Sequence, residues 1–185
     1  MPPQPTLSDR LPGDPTRDEI VARILRVDHA GEYGAVRIYE GQLAVLGNSP
    51  VGPVIRRMAE QERRHLEAFN RLLPARRVRP TALSPLWHVL GYALGAATAM
   101  LGERAAMACT VAVEEVIDEH YASQAAQLGE EEPELKNAIE EFRRDEIAHR
   151  DEAIAHDALQ TPGYELLSTA IKAGSRLAIW LSTRI

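Results

Sequence analysis

Glu146-Ile147-Ala148-His149 and its earlier counterpart Glu62-Arg63-Arg64-His65 constrain this chain more than any other feature. On a helix, positions i and i+3 share a face, so each segment aims a carboxylate and an imidazole the same way. Each also has a glutamate upstream at nearly the same interval: Glu32 precedes Glu62 as Glu114 precedes Glu146. One almost constant offset therefore carries Glu32 onto Glu114, Glu62 onto Glu146 and His65 onto His149. A single Glu-x-x-His on a charged helix is ordinarily solvated surface. Four glutamates and two histidines in this order instead fit the bundle recipe for a carboxylate-bridged di-iron or di-manganese centre. That recipe takes one Glu from each of two helices and one Glu-x-x-His from each of the other two.

Depth along the helices supports the pattern. Gly47-Asn48-Ser49-Pro50 reads as a helix stop followed by a new start. Glu32 precedes Gly47 by as many positions as His65 follows Pro50. At ~1.5 Å rise per residue, both sit ~22 Å from the connection, level on antiparallel neighbours. In the second half, Glu114 precedes Gly129 by almost as many positions as His149 follows Pro133. Two separate hairpins therefore place their candidate ligands at matching depth.

The 185 residues suffice for one domain with a real core, expected over 17–185 as a single helical unit. Residues 1–16, with Pro2, Pro3, Pro5, Pro12, Gly13 and Pro15, read as a tail. The net charge of −6, with basic residues interleaved among acidic ones, argues against nucleic acid as a partner. Cys109 stands alone, which excludes an internal disulfide and any Cys-x-x-Cys metal cluster. The N-terminus carries no secretory or transit pattern, so a bacterial cytoplasmic setting is expected, with a processed organellar protein as the alternative.

Five helices are predicted. The first runs from Thr16, an N-cap with Glu19 at the capping-box position, to Leu46. Its Gly31 and Gly34 serve either close packing or room for a ligand. The second runs from about Pro50 to Leu73 and is stopped by Pro74. Two more span about Glu103 to Leu128 and Pro133 to Leu159, and the last covers Gly163 to Thr183. No strand alternation and no dinucleotide fingerprint occur, so the fold class is all-α. Pro80 to Gly102 contains no Asp, Glu, Lys or Arg and follows a basic cluster of Arg71, Arg76, Arg77 and Arg79. Leu86 to Leu94 starts a short helix there, too weakly hydrophobic for a membrane span and suited to an interface or a core. Gly91 and Gly95 form a weak Gly-x-x-x-Gly signal. The segment either crosses the bundle end to end or caps one end of it.

Glutamate and histidine suit iron or manganese, because hard oxygen donors tolerate the oxidised metal and imidazole supports both states. Four carboxylates in one core would repel strongly, and two divalent ions cancel their charge. Glu62 and Glu146 are the natural bridges, leaving Glu32 and Glu114 terminal. Glu114 is preferred to Glu115 because its helix face carries Met107, Thr110, Val111 and Ile117. Asp145 and Asp118 are either partners orienting a histidine or solvated acids. His29, His120 and His156 fall outside the repeat and read as polar or packing residues.

Arg26 to Ala35, Met107 to Glu115 and Asp145 to His149, with Ala173-Gly174 and Leu177-Ala178-Ile179 near the end, resemble the demethoxyubiquinone hydroxylase family from about Ile20 onward. Mapped onto these motifs, the family's iron ligands fall on Glu32, Glu62, His65, Glu114, Glu146 and His149, the six already chosen by spacing. His120-Tyr121 matches a pair the family places near the site, which makes Tyr121 a candidate catalytic residue beside the four glutamates. The resemblance implies a ferritin-like bundle with added membrane-facing helices, two iron ions and O₂ as co-substrate. It also implies hydroxylation of the ring of 2-polyprenyl-3-methyl-6-methoxy-1,4-benzoquinol in ubiquinone synthesis. Electrons would come from NADH directly or through the quinone. The expected location is the cytoplasmic face of a bacterial inner membrane, or the mitochondrial inner membrane, with a homo-oligomer or other ubiquinone-biosynthesis proteins as candidate partners. A ferroxidase or iron-storage protein is the nearest rival and needs no uncharged segment. A rubrerythrin-like peroxidase would need more cysteines, and a metal-free membrane scaffold would leave six level ligand-type residues unexplained.

Overall fold

A computed structural model describes residues 13–185. Most of the expected N-terminal tail lies outside the described residues. Six α-helices follow: α1 (Arg17–Leu46), α2 (Gly52–Ala75), α3 (Ser84–Met100), α4 (Glu103–Leu128), α5 (Pro133–Ala155) and α6 (Tyr164–Ser182). No strand occurs among the described residues, as the periodicity requires.

The start of α1 is set by a reciprocal cap. Thr16 Oγ1 accepts from the Glu19 backbone N–H, and Glu19 Oε2 accepts from that of Thr16 at 2.7 Å. This cap fixes the register that later places Glu32. Pro53 rather than Pro50 occupies the first turn of α2. Pro74 does not stop this helix. So near the end its missing N–H costs only one intrahelical bond, and α2 continues to Ala75. The real stop is a Schellman motif: Arg77 turns left-handed at φ 55°, Val78 N–H bonds Leu73 C=O and Arg77 N–H bonds Pro74 C=O. Likewise α5 ends at Ala155, short of the expected Leu159. Asp157 adopts φ 63°, which folds Ala158 into the core through a 3₁₀ turn at Ala158–Gln160.

The uncharged segment is more regular than predicted. It forms the full 17-residue α3 and connects opposite ends of the bundle. At one end, Arg76 reaches Glu132 at 3.0 Å and Arg26 donates to the Arg79 carbonyl. At the other, Gln42 Nε2 donates to the Ala106 carbonyl at the start of α4. The connection is therefore a crossover and not a cap. The antiparallel pairs α1–α2 and α4–α5 make a four-helix bundle of ferritin-like topology. α3 lies parallel to α1 with their backbones in contact. A Cβ at Gly95 would collide with the Ile38 carbonyl oxygen, and one at Gly91 would lie 2.9 Å from that of Gly34. The Gly-x-x-x-Gly is thus a packing device, whereas Gly31 and Gly34 face open space.

Two apolar clusters occupy the ends of the bundle. One gathers Ile24, Leu25, Phe69, Leu128 and Ile139 around Tyr121, and the other gathers Ile55, Met58, Met107 and Val111 around Tyr39. Between them lies a layer of buried acids. α6 packs along α4, where Lys172 pairs with Glu115 and Arg176 with Glu119 at 3.0 Å. Trp87 Nε1 donates to Ser182 Oγ at 2.9 Å and joins α3 to α6.

Candidate metal centre

The capped start of α1 carries Glu32 inward from mid-helix, and α4 carries Glu114 inward at the same level. Opposite them, the Glu-x-x-His segments of α2 and α5 bring Glu62 with His65 and Glu146 with His149. All six side chains are buried to 3 % exposure or less. They form two overlapping groups, Glu32-Glu62-His65-Glu146 and Glu62-Glu114-Glu146-His149, each with its ligand atoms within 4.8 Å of one another. Glu62 and Glu146 belong to both groups, the arrangement of bridging carboxylates.

The donor atoms test whether a metal pair fits here. Both oxygens of Glu62 and of Glu146, Oε2 of Glu32 and of Glu114, and Nδ1 of both histidines are buried without a hydrogen-bond partner. Protein interiors rarely tolerate unpaired polar atoms. A cluster of eight converging on one layer has the donor set to hold cations. His65 Nδ1 stands 3.3 Å from Glu146 and 3.5 Å from Glu32, and His149 Nδ1 stands 3.0 Å from Glu62. Hard carboxylate oxygens with one imidazole per metal suit iron or manganese.

Electrostatics agrees. Burial, and then the neighbouring Glu146, push the carboxyls of Glu62 and Glu114 well above the ordinary glutamate range. Burial also raises Glu146. Burial opposes charge on His65, but Glu146 and Glu32 outweigh it and raise the imidazole to about 12. Without metal the layer must hold protons, and metal binding must release them.

The surroundings hold the six side chains in place. His65 Nε2 faces Asp145 Oδ2 at 3.0 Å, and His149 Nε2 faces Gln61 Oε1 at 3.1 Å. Tyr39 donates to Glu114 Oε1 at 2.8 Å, and Tyr121 donates to Glu32 Oε1. Gln124 donates to Asp28 at 2.6 Å, while Gln42 reaches toward Thr110. Of the two aspartates considered from the sequence, Asp145 orients a histidine, whereas Asp118 instead accepts from Arg143 at 2.5 Å. Glu115 lies outside the layer against Lys172. His29 bonds Asn70 at 3.1 Å, and His120 bonds Gln124 at 2.8 Å, so neither joins the cluster.

Sequence reasoning missed Tyr39, Gln42, Gln61 and Gln124, although the signal was present. Tyr39 stands as far beyond Glu32 as Tyr121 beyond Glu114, and Gln42 and Gln124 keep the same match. Gln61 precedes Glu62 as Asp145 precedes Glu146. The repeat that locates the candidate ligands also locates their partners.

Beside this layer is an apolar cavity of about 240 Å³ between α1, α3, α4 and α6. Gly31, Gly34, Leu94, Val113 and Gly174 are among its walls. Gly31 adjoins Glu32 in sequence and Val113 adjoins Glu114.

Comparison with known proteins is consistent across most of the chain. The family described as Ubiquinone biosynthesis protein COQ7 matches residues 19–182. A 3-demethoxyubiquinol 3-hydroxylase of Rhodospirillum rubrum is 58% identical over 182 residues, covering 97% of this chain and 85% of that protein. A human protein named NADPH-dependent 3-demethoxyubiquinone 3-hydroxylase, mitochondrial, is 57% identical over 169 residues, covering 89% of this chain and 78% of its own length. The 5-demethoxyubiquinone hydroxylase of Saccharomyces cerevisiae mitochondria is 42% identical over 180 residues, covering 88% of this chain and 77% of that protein. On the extent of these matches, the chain belongs to the COQ7 family of ubiquinone biosynthesis proteins.

Proposed function

We propose that this chain hydroxylates the ring of a demethoxyubiquinol in ubiquinone biosynthesis, using O₂ and two iron ions, with residues 17–185 acting as one unit. The observation that carries the reading is the pair of overlapping ligand groups with their eight unpaired donor atoms. Glu32, Glu62, His65 and Glu146 would hold one iron, and Glu62, Glu114, Glu146 and His149 the other. When bound, the irons supply electrons to O₂, so that one oxygen atom reaches the ring and the other leaves as water.

The chain's own residues set the conditions for that chemistry. Tyr39 and Tyr121 each hold one oxygen of a terminal carboxylate and leave the other free for metal. Tyr121 is thereby a positioning residue for Glu32. The apolar cavity excludes water and accepts an aromatic ring, and the absence of side chains at Gly31 and Gly34 keeps it open. Ring C–H plus O₂, two electrons and two protons gives ring C–OH and water. The electrons would come from a reduced nicotinamide, directly or through the quinone. The human relative's name specifies NADPH.

A polyprenyl substrate resides in a bilayer, and the outer helices suit that setting. No helix among the described residues is long and apolar enough to cross a membrane. Yet Val89, Leu90, Met100 and Leu101 of the α3 segment, with Leu166, Leu177 and Trp180 of α6, are exposed. Peripheral association with a bacterial or mitochondrial inner membrane follows. Arg71, Arg77 and Arg79 are the headgroup-facing candidates. Arg76, of the same basic cluster, is instead engaged by the buried Glu132. The same apolar surface would serve a homo-oligomer or a partner protein of the pathway.

The test supplies reduced, iron-loaded protein with the methoxy-quinol and ¹⁸O₂. One labelled hydroxyl on the product ring is expected. Iron oxidation and mineral accumulation without ring hydroxylation would move the protein to the ferroxidase reading.

A further inference from the structure

The two halves of the site match closely, and the one mismatch at the histidines has chemical consequences. Each histidine turns Nδ1 into the metal layer and Nε2 toward the residue preceding the glutamate of the opposite Glu-x-x-His. For His65 that residue is an aspartate, and for His149 it is an amide. We infer that the two metal positions are inequivalent. Asp145 makes the position at His65 the tighter one, filled first and emptied last, while Gln61 leaves the position at His149 the weaker.

The reasoning rests on the metal reading above and on ordinary hydrogen-bond chemistry. With Nδ1 committed to a metal, Nε2 carries the proton and donates it. A carboxylate acceptor draws on that proton more strongly than an amide oxygen does, which shifts electron density toward Nδ1 and strengthens its bond to the metal. The distances, 3.0 and 3.1 Å, are nearly equal, so the chemical nature of the acceptor and not its reach distinguishes the halves. The carboxylates do not offset the difference. Each position has one terminal glutamate, each held by one tyrosine, and both share Glu62 and Glu146. Packing favours the same side, since the His65 ring stacks on Phe142 with centroids 4.2 Å apart, while His149 meets Tyr39 edge-on at 6.3 Å. Asp145 is a positioning residue here, acting through His65, and its side chain is 37 % exposed, so replacing it leaves the core intact.

The experiment is an anaerobic titration of ⁵⁷Fe²⁺ into the metal-free full chain, read by calorimetry and by Mössbauer spectra at one and two equivalents. Two binding steps are expected, with a single iron environment at one equivalent. Asp145→Asn should weaken the first step by roughly 10–100-fold, the usual cost of losing such a partner, and leave the second almost unchanged. Asp145→Glu should restore the separation, and Gln61→Glu should tighten the second step. A wild type that binds two irons in one indivisible step overturns the inference, and so does a half-loaded sample containing only filled and empty protein. Asp145→Asn weakening both steps equally, or only the second, also overturns it. None of these results touches the two-iron reading. Failure to bind any Fe²⁺ would overturn both.

Discussion

The bundle interior and the outer pair α3 and α6 depart from ordinary protein construction in opposite directions. A typical domain buries apolar side chains and leaves charge in water. Here the middle of the four-helix bundle buries Glu32, Glu62, Glu114 and Glu146 with two histidines, while the outer helices expose Leu90, Met100, Leu101, Leu166 and Trp180. Each departure supports one part of the proposed function. Converging unpaired anions call for cations, and a wide apolar exterior calls for an apolar surrounding. The cavity lined by α1, α3, α4 and α6 lies where the outer helices meet the bundle, and the proposed function assigns it to the substrate ring.

The comparison breaks most completely if the interior loses a bridge. A Glu146→Ala, His149→Ala double variant should fall to background iron content and to no detectable hydroxylation, measured by elemental analysis and product chromatography. The outer region should fail separately. Leu90→Lys with Leu101→Lys should lower flotation with anionic liposomes by about tenfold or more, because two charges enter the apolar contact, while iron content stays at the wild-type level. Loss of iron in that variant would show that the two regions are not independent.

The cavity gives an intermediate effect. A Cβ at Gly31 meets nothing within 4 Å, so Gly31→Leu fits the helix and fills the space that the substrate needs. Turnover should drop on the order of tenfold with iron retained, and wild-type turnover would remove the cavity from the account.

Acidity sharpens the interior's side of the comparison. In the metal-free protein Glu62, Glu114, Glu146, His65 and His149 all hold protons more tightly than they would unfolded. The folded state therefore binds more protons, and stability falls as pH rises from the ordinary glutamate range toward neutrality. The melting temperature of the chelated protein should decline by several degrees between about pH 5 and 8. Iron replaces those protons, so the loaded protein should show a flatter or opposite slope. The smallest effect belongs to Glu115→Ala. That side chain pairs with Lys172 in a half-buried ion pair outside the acidic layer, so the change should leave iron and turnover nearly unaltered and lower the melting temperature only slightly.

Much of this was legible in the sequence because the site is a repeat on rigid helices. Spacing, with the apolar helix face that favours Glu114 over Glu115, selected the six clustered residues and the two shared carboxylates, and the Thr16 cap and the limits of α4 follow local chemistry. What the sequence concealed was tertiary. A left-handed Arg77 and Asp157 end α2 and α5 where proline-based reasoning does not, because backbone turns at non-glycine residues leave little trace in composition. The crossover path of α3 depends on close backbone contact at Gly91 and Gly95, a signal too common to trust alone. Gln61 and Tyr39 were visible in principle, since the offset that pairs Glu32 with Glu114 also pairs Tyr39 with Tyr121.

The central claim is that two metal ions complete the buried acidic layer. Anomalous diffraction at the iron edge from crystals of the iron-loaded protein tests it directly. The account predicts two peaks per chain, one among Glu32, Glu62, His65 and Glu146 and the other among Glu62, Glu114, Glu146 and His149. No peak within this layer, or iron bound only at surface carboxylates, would contradict it.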